Sequence, residues 1–149
     1  LRRSSAASDV YKRQDENSSG NYYLKAVPET GVHMQNNLMG PRLNFELDFE
    51  SPGTYFLWLS MRGDSYSNDS IGVGWTDGVA STEMVYASFG WDSEGQWEWE
   101  PRVSREPFEI HISEPGKSSV VLTMREDGVE IDCFILTSDP EFDPIKELA

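Results

Sequence analysis

The sequence predicts an all-β protein built as a two-sheet antiparallel β-sandwich, and three observations lead to that prediction. Seven Phe, six Tyr and five Trp among 149 residues are a heavy aromatic load, which strands accept better than helices do. No stretch repeats apolar residues at helical spacing over a useful length. Two segments with the same pattern follow one another at a distance of 63 residues. A single domain of this length buries a real core without metal or disulfide support.

The repeat aligns residues 45–64 with residues 108–127 without a gap. Each copy alternates apolar and polar residues, passes through Pro-Gly and a second apolar run, and ends in Met-Arg-x-Asp. This order is typical of an antiparallel hairpin. We therefore expect one hairpin in each sheet. Both Pro-Gly turns should lie at one end of the sandwich, with Arg62 and Arg125 at the other.

The remaining pattern predicts the other strands in chain order. Outside the two repeats, apolar or alternating runs bounded by turn residues predict strands at 21–27, 71–75, 83–87 and 131–137. Within the repeats, residues 43–49 alternate as a half-buried strand, and residues 54–61 are apolar on both faces, as in a central strand. Residues 88–107 contain three tryptophans among glycines and read mainly as a loop.

Both ends of the chain differ from the part between them. Residues 1–14 have no strand pattern, lack the apolar core of a signal peptide, and resemble lead-in peptides of reading frames assembled from environmental DNA. We expect them to be non-native and to lie outside the fold. Residues 15–140 are expected to form the sandwich, and the polar residues 141–149 a tail or the start of a linker.

The charge excludes some classes of partner. Residues 1–14 hold four of the twelve basic and one of the 26 acidic side chains, which leaves residues 15–149 with a net charge of −17. Without a basic stripe to neutralise phosphates, nucleic acid is not an expected partner. No apolar run approaches the length of a membrane span, so a membrane is not expected either. Cys133, the single cysteine, lies in an apolar run and is expected to be a buried thiol.

Four loops should converge at the end of the sandwich away from the Pro-Gly turns. They are residues 31–41, 62–69, 91–107 and 125–130. A flat indole beside charged groups suits a sugar ring, because the ring's C–H face stacks and its hydroxyls accept or donate charge-assisted hydrogen bonds. The candidate carbohydrate-binding residues are Trp97, Trp99, Trp91, Arg62, Asp69, Arg125, Glu126 and Asp127.

Structural roles remain open for most of these residues. Trp97 and Trp99 would share one face of a strand, so either could pack in the core instead of binding a ligand. Arg62 and Arg125 could each pair with the aspartate two residues later, and Asp69 could cap a turn. No lipase-type serine motif or zinc-type histidine pair is present, and the two histidines, His33 and His111, are isolated.

Residues 23–28, 52–58, 68–73, 124–128, 131–132 and 135–137 together resemble the C-terminal domain of family-115 glycoside hydrolases. Such domains are similar to the galactose-binding-like modules of carbohydrate-binding families 6 and 35. The resemblance implies a jelly roll whose sugar site uses Trp97 or Trp99 and the turn at Glu126 and Asp127. It also implies a structural calcium ion, for which Asp132 matches one ligand, although residues 22–26 offer no acidic pair.

The resulting hypothesis is a non-catalytic carbohydrate-binding module of a secreted, extracellular or periplasmic enzyme. Its partners would be a polysaccharide or oligosaccharide and the tethered catalytic domain. The main alternative is a structural accessory domain that packs on a catalytic neighbour and binds no sugar. A small polysaccharide lyase or hydrolase is a weaker third reading.

Overall fold

The protein is a sandwich of two antiparallel sheets with almost no helix. The structure, a computed structural model, describes residues 10–14, 17–28, 30–34, 41–65, 68, 70–76, 84–88, 96–100 and 108–148. Within these residues the strands are β1 Val10–Gln14, β2 Tyr22–Ala26, β3 Arg42–Phe49, β4 Gly53–Arg62, β5 Ser70–Thr76, β6 Met84–Ser88, β7 Glu98–Glu100, β8 Phe108–Ile112, β9 Gly116–Met124 and β10 Glu130–Thr137. The predicted all-β fold class is confirmed.

The ten strands are divided between a larger and a smaller sheet. In the described part of the chain, sheet 1 has the order β1-β2-β10-β4-β7, and β8 also pairs with β4. Sheet 2 has the order β3-β9-β5-β6. Every pairing is antiparallel.

The two predicted hairpins are wrong in their pairing. β3 and β4 lie on either side of the first Pro-Gly turn, but β3 belongs to sheet 2 and β4 to sheet 1. The second turn likewise joins β8 of sheet 1 to β9 of sheet 2. Three residues link each pair of strands, which is enough chain to cross the ~10 Å between stacked sheets. Gly53 and Gly116 have φ values of 149° and 136°, which a residue with a side chain rarely adopts.

The two copies of the repeat pair with each other. The first strand of copy one, β3, pairs with the second strand of copy two, β9, and β4 pairs with β8 in the same way. Phe45 lies opposite Val120. Moving each residue by the 63-residue repeat, in opposite directions, gives Phe108 opposite Leu57, which is the observed pair in sheet 1. The repeat is therefore an internal two-fold pattern that spans both sheets.

The core lies between the two sheets. Inward-facing residues of sheet 1, such as Leu57 and Leu59, form one buried cluster with Val120 and Leu122 of sheet 2. The largest of the fully buried side chains is Phe108, which packs edge-on against Trp75 with 5.7 Å between ring centroids. Alternation along each strand places the remaining residues on the outer faces of the sandwich.

The predicted arrangement of the two ends is confirmed. Phe49 pairs with Gly116 and Gly53 with Ile112, so both Pro-Gly turns lie at one end. At the other end, Arg62 pairs with Glu130 in the strand register. Arg125 follows Met124, which pairs with Ile71 at the start of β5. The described parts of the loops at 31–41, 62–69 and 125–130 therefore lie at the same end of the sandwich, which we call the loop edge.

Residues 10–14, which we expected to lie outside the fold, form β1 along β2. β2 would stay in sheet 1 without β1, because β2 also pairs with β10. We therefore expect deletion of residues 1–14 to change the melting temperature by no more than about 2 °C, as measured by thermal unfolding. A loss of more than roughly 1 kcal/mol would show that β1 stabilises the sheet.

The predicted polar tail contains a short helix. α1, Pro144–Glu147, is capped by the side chain of Asp143, which accepts a hydrogen bond from the backbone N of Ile145 at 3.0 Å. Pro144 is buried, whereas Ile145 and Leu148 are each 60% exposed. None of the helices in the described residues is long and apolar enough to cross a membrane.

Candidate functional site

At the loop edge, residues 26–34 are fastened to the turn between β9 and β10. Four backbone hydrogen bonds join them, and two of these link Gly128 and Val129 to Ala26 at 2.7 and 2.9 Å. The other two join Arg125 to Met34 at 2.7 Å and Asp127 to Val32 at 3.1 Å. The turn at Glu126 and Asp127, which is predicted to form part of the sugar site, is thus held by backbone hydrogen bonds to residues 26, 32 and 34.

The buried side chain of Asp127 holds residues 30–32 by hydrogen bonds. Its side chain accepts hydrogen bonds from the backbone N of Thr30 at 2.5 Å and of Val32 at 3.1 Å. The residue is only 3% exposed. A buried carboxylate needs such donors, and these donors occupy it. Asp127 therefore shapes the loop edge instead of offering a free carboxylate to a ligand.

Glu126 is buried in the same way, at 5% exposure. It accepts a 2.5 Å hydrogen bond from the Ser70 hydroxyl and pairs with the guanidinium of Arg125 at 3.1 Å. Arg125 also donates to the Ser70 hydroxyl, which closes a three-residue network between β5 and the turn. Glu126 and the Nη1 atom of Arg125 thereby hold β5 to the turn.

Asn68 joins two loops by close packing. Its side-chain oxygen accepts hydrogen bonds from the backbone N of Asp64 and Ser65, both at 2.8 Å. A Cβ atom on Gly63 would lie 2.2 Å from the backbone carbonyl oxygen of Asn68, so any residue other than glycine at position 63 would require a backbone shift. Gly128, with φ of 89°, approaches the Asn68 side chain from the other loop. The loop edge is consequently a tightly fitted surface in this region.

Trp97 and Trp99 lie on the outer face of sheet 1, beside the loop edge. Trp99 pairs with Ser60, and the register places Trp97 level with Arg62. Because Leu59 and Met61 of the same strand face the core, Ser60 and Arg62 face outward. Both indoles are half-buried on this outer face. Neither indole therefore packs in the core between the two sheets, which was one of the two roles left open for them.

Arg62 lies over one face of Trp97. The central guanidinium carbon is 4.3 Å from the centroid of the indole and 5.2 Å from that of Tyr23. Tyr23 also contacts Trp97 edge-on, with 5.6 Å between centroids. Arg62 is already engaged within the fold, since its Nε donates a hydrogen bond to Glu130 at 2.5 Å. It forms part of the wall that supports the indole.

Sequence reasoning missed Glu130, which is the centre of this cluster. It is 8% exposed and pairs with Arg62 on β4 and, at 3.0 Å, with Lys25 on β2. Lys25, Arg62 and Glu130 come from three strands, so only the strand register brings them together. We name this group, together with Tyr23 and Trp97, the Trp97 cluster.

Asp132, which the resemblance offers as a calcium ligand, is hydrogen-bonded to Ser19. Both of its carboxylate oxygens accept hydrogen bonds from the backbone N of Ser19, at 3.0 and 3.1 Å, and one also accepts from the Ser19 hydroxyl. In the described part of the chain no three His, Cys, Asp or Glu residues are grouped to hold a metal. Asp132 fastens residue 19 to β10.

The neighbouring Cys133 is half-buried. Burial raises the pKa of its thiol above the usual value, which keeps the thiol protonated near neutral pH. Protonated thiols are poor nucleophiles. The two remaining candidates, Trp91 and Asp69, lie outside the described residues.

Comparison with known proteins gives one informative match. No known protein-family profile matches the chain. A protein of Formosa agariphila, itself described only as uncharacterized, is 26% identical over an alignment of 152 positions that covers 88% of this chain. The chain spans 36% of the length of that relative.

Proposed function

We propose that this domain is a non-catalytic carbohydrate-binding module that holds a secreted polysaccharide-degrading enzyme against its glycan. The observation that carries the proposal is the pair of half-buried indoles, Trp97 and Trp99, on one outer face beside the loop edge. Such a surface offers apolar area for the C–H face of a sugar, and polar groups for its hydroxyls lie around it. The net charge of −17 over residues 15–149 opposes nucleic acid as the ligand.

The site proposed here is smaller than the sequence suggested. Glu126 and Asp127 are engaged within the fold, and Arg62 supports Trp97. The sugar-contacting surface is therefore assigned to Trp97 and Trp99. The greater length of the relative supports a role beside another domain of the same protein. We propose that this other domain is catalytic and that the whole protein acts outside the cytoplasm. Calcium binding, with Asp132 as one ligand, stays a prediction of the resemblance.

We expect Trp97→Ala to weaken binding to the cognate polysaccharide about ten- to hundredfold. Loss of one stacked ring removes roughly 1–3 kcal/mol of apolar contact. The measurement is affinity electrophoresis against a panel of algal and plant polysaccharides, followed by titration of the retained one. Trp99→Ala is measured alongside, because the two indoles share the face.

Trp75→Phe provides the matched control, since Trp75 packs against Phe108 between the sheets. It should alter the unfolding midpoint and leave glycan affinity unchanged. If Trp97→Ala and Trp99→Ala both bind as well as the wild type, the sugar site lies elsewhere and this assignment is wrong.

The alternative function, an accessory domain that packs on a catalytic neighbour, is favoured by one observation. Ile145 and Leu148 are large apolar residues with 60% exposure next to the buried Pro144. Exposed apolar residues of this kind suit a protein contact. Failure of the wild-type protein to bind any polysaccharide in the panel would favour this alternative.

A further inference from the structure

We propose that Arg62 is a positioning residue for Trp97, and that Glu130 fixes Arg62 in that role. The guanidinium covers one face of the indole, so that a sugar stacks on the opposite face. This inference rests on the proposed function and adds to it which residues orient the binding ring. This role differs from both alternatives that the sequence left open for Arg62, which were direct contact with the ligand and pairing with Asp64.

The contacts of Trp97 carry the argument. Its Nε1 atom is buried and has no hydrogen-bond partner among the described residues. No polar bond from that atom therefore sets the angle of the indole. The contacts that the structure shows for the ring are the Arg62 guanidinium at 4.3 Å and the edge of Tyr23 at 5.6 Å. Since Tyr23 also lies 5.2 Å from Arg62, the three groups support one another.

Arginine suits this position because its planar fork does two things at once. Its Nε donates in the plane of the guanidinium to Glu130, while the flat face remains available to the ring. A lysine ammonium is a compact charge that satisfies the carboxylate without presenting a plane to the indole. Glu130 is also held by Lys25 at 3.0 Å, so the carboxylate has an anchor on β2 besides Arg62.

The experiment compares Arg62→Met, Arg62→Lys and Lys117→Met in two backgrounds, the unsubstituted chain and Trp97→Phe. The first readout is near-ultraviolet circular dichroism, which reports the fixed surroundings of aromatic rings and needs no ligand. The second is affinity for the polysaccharide retained by the wild type. Thermal unfolding confirms that each variant is folded at the temperature of measurement.

Arg62→Met should change the near-ultraviolet spectrum and weaken binding about two- to tenfold, the range expected from losing a cation–π contact. Both effects should shrink clearly in the Trp97→Phe background. Arg62→Lys should restore little of either. Lys117→Met is the control: it removes an exposed cation that pairs with Glu46 on sheet 2, outside the Trp97 cluster, and should leave both readouts near those of the wild type.

Two results would overturn the proposal. An unchanged spectrum for folded Arg62→Met would show that Arg62 does not orient the ring. An equal fold-loss of affinity in both backgrounds would show that Arg62 contacts the sugar directly. Absence of binding by the wild type would instead remove the proposed function, while the spectra would still decide whether Arg62 orients Trp97.

Discussion

Replacing Glu130 by alanine is expected to lower the free energy of unfolding by about 3–5 kcal/mol. The side chain of Glu130 is 10% exposed, and those of its partners Lys25 and Arg62 are 12% and 20% exposed. Removing the carboxylate takes away an anion that both of these largely buried cations contact, so part of their lost hydration goes uncompensated. Chemical denaturation with linear extrapolation measures the change.

Glu46→Ala is the control for this prediction. Glu46 also pairs with a lysine, Lys117, at 2.7 Å, but the two side chains are 66% and 70% exposed. Exposed pairs contribute about 1 kcal/mol or less, because water and salt screen them. Equal and small losses for both variants would mean that the Glu130 cluster adds no more stability than a surface ion pair. The ion pairs of Glu130 would then not be strong enough to hold the Trp97 cluster in a fixed arrangement.

The aromatic load, the lack of helical spacing and the repeated alternating pattern were sufficient to predict the fold class, and the 63-residue repeat predicted the ends of the sandwich. The alternation could not predict the strand pairing. Alternation specifies which side chains face the core, and a Pro-Gly turn specifies where the chain reverses. Neither states whether the next strand lies beside the first or in the facing sheet. The repeat itself held that information, because β3 and β8 pair with the second strand of the other copy.

The candidate site shows the same limit at the level of side chains. Glu126 and Asp127 were predicted to face a ligand because their turn leads to the loop edge and because the resemblance places the sugar site there. Here the loop at residues 30–32 and Ser70 supply donors that bury them. Glu130 was missed for the converse reason. Its partner Arg62 is 68 residues away in sequence, and only the register of β4 and β10 brings the two together.

The second large effect is expected for Phe108→Ala, which should lower the free energy of unfolding by about 3–5 kcal/mol. Phe108 is 2% exposed and packs edge-on against Trp75. The truncation leaves a cavity between the sheets, where neighbouring strands are held by their hydrogen bonds and cannot close it fully. The same denaturation experiment measures the loss.

Phe45→Ala is the matched variant, because Phe45 holds the equivalent place in the first copy of the repeat. It packs against Phe134 at 5.1 Å between centroids but is only half-buried. A smaller loss of about 1–2 kcal/mol is therefore expected, in proportion to the apolar area that it removes from water. Equal losses at the two positions would mean that the internal two-fold pattern extends to the energetics of the core. A larger loss at Phe108 would show that the two copies share a backbone plan while their side chains have taken unequal parts in the core.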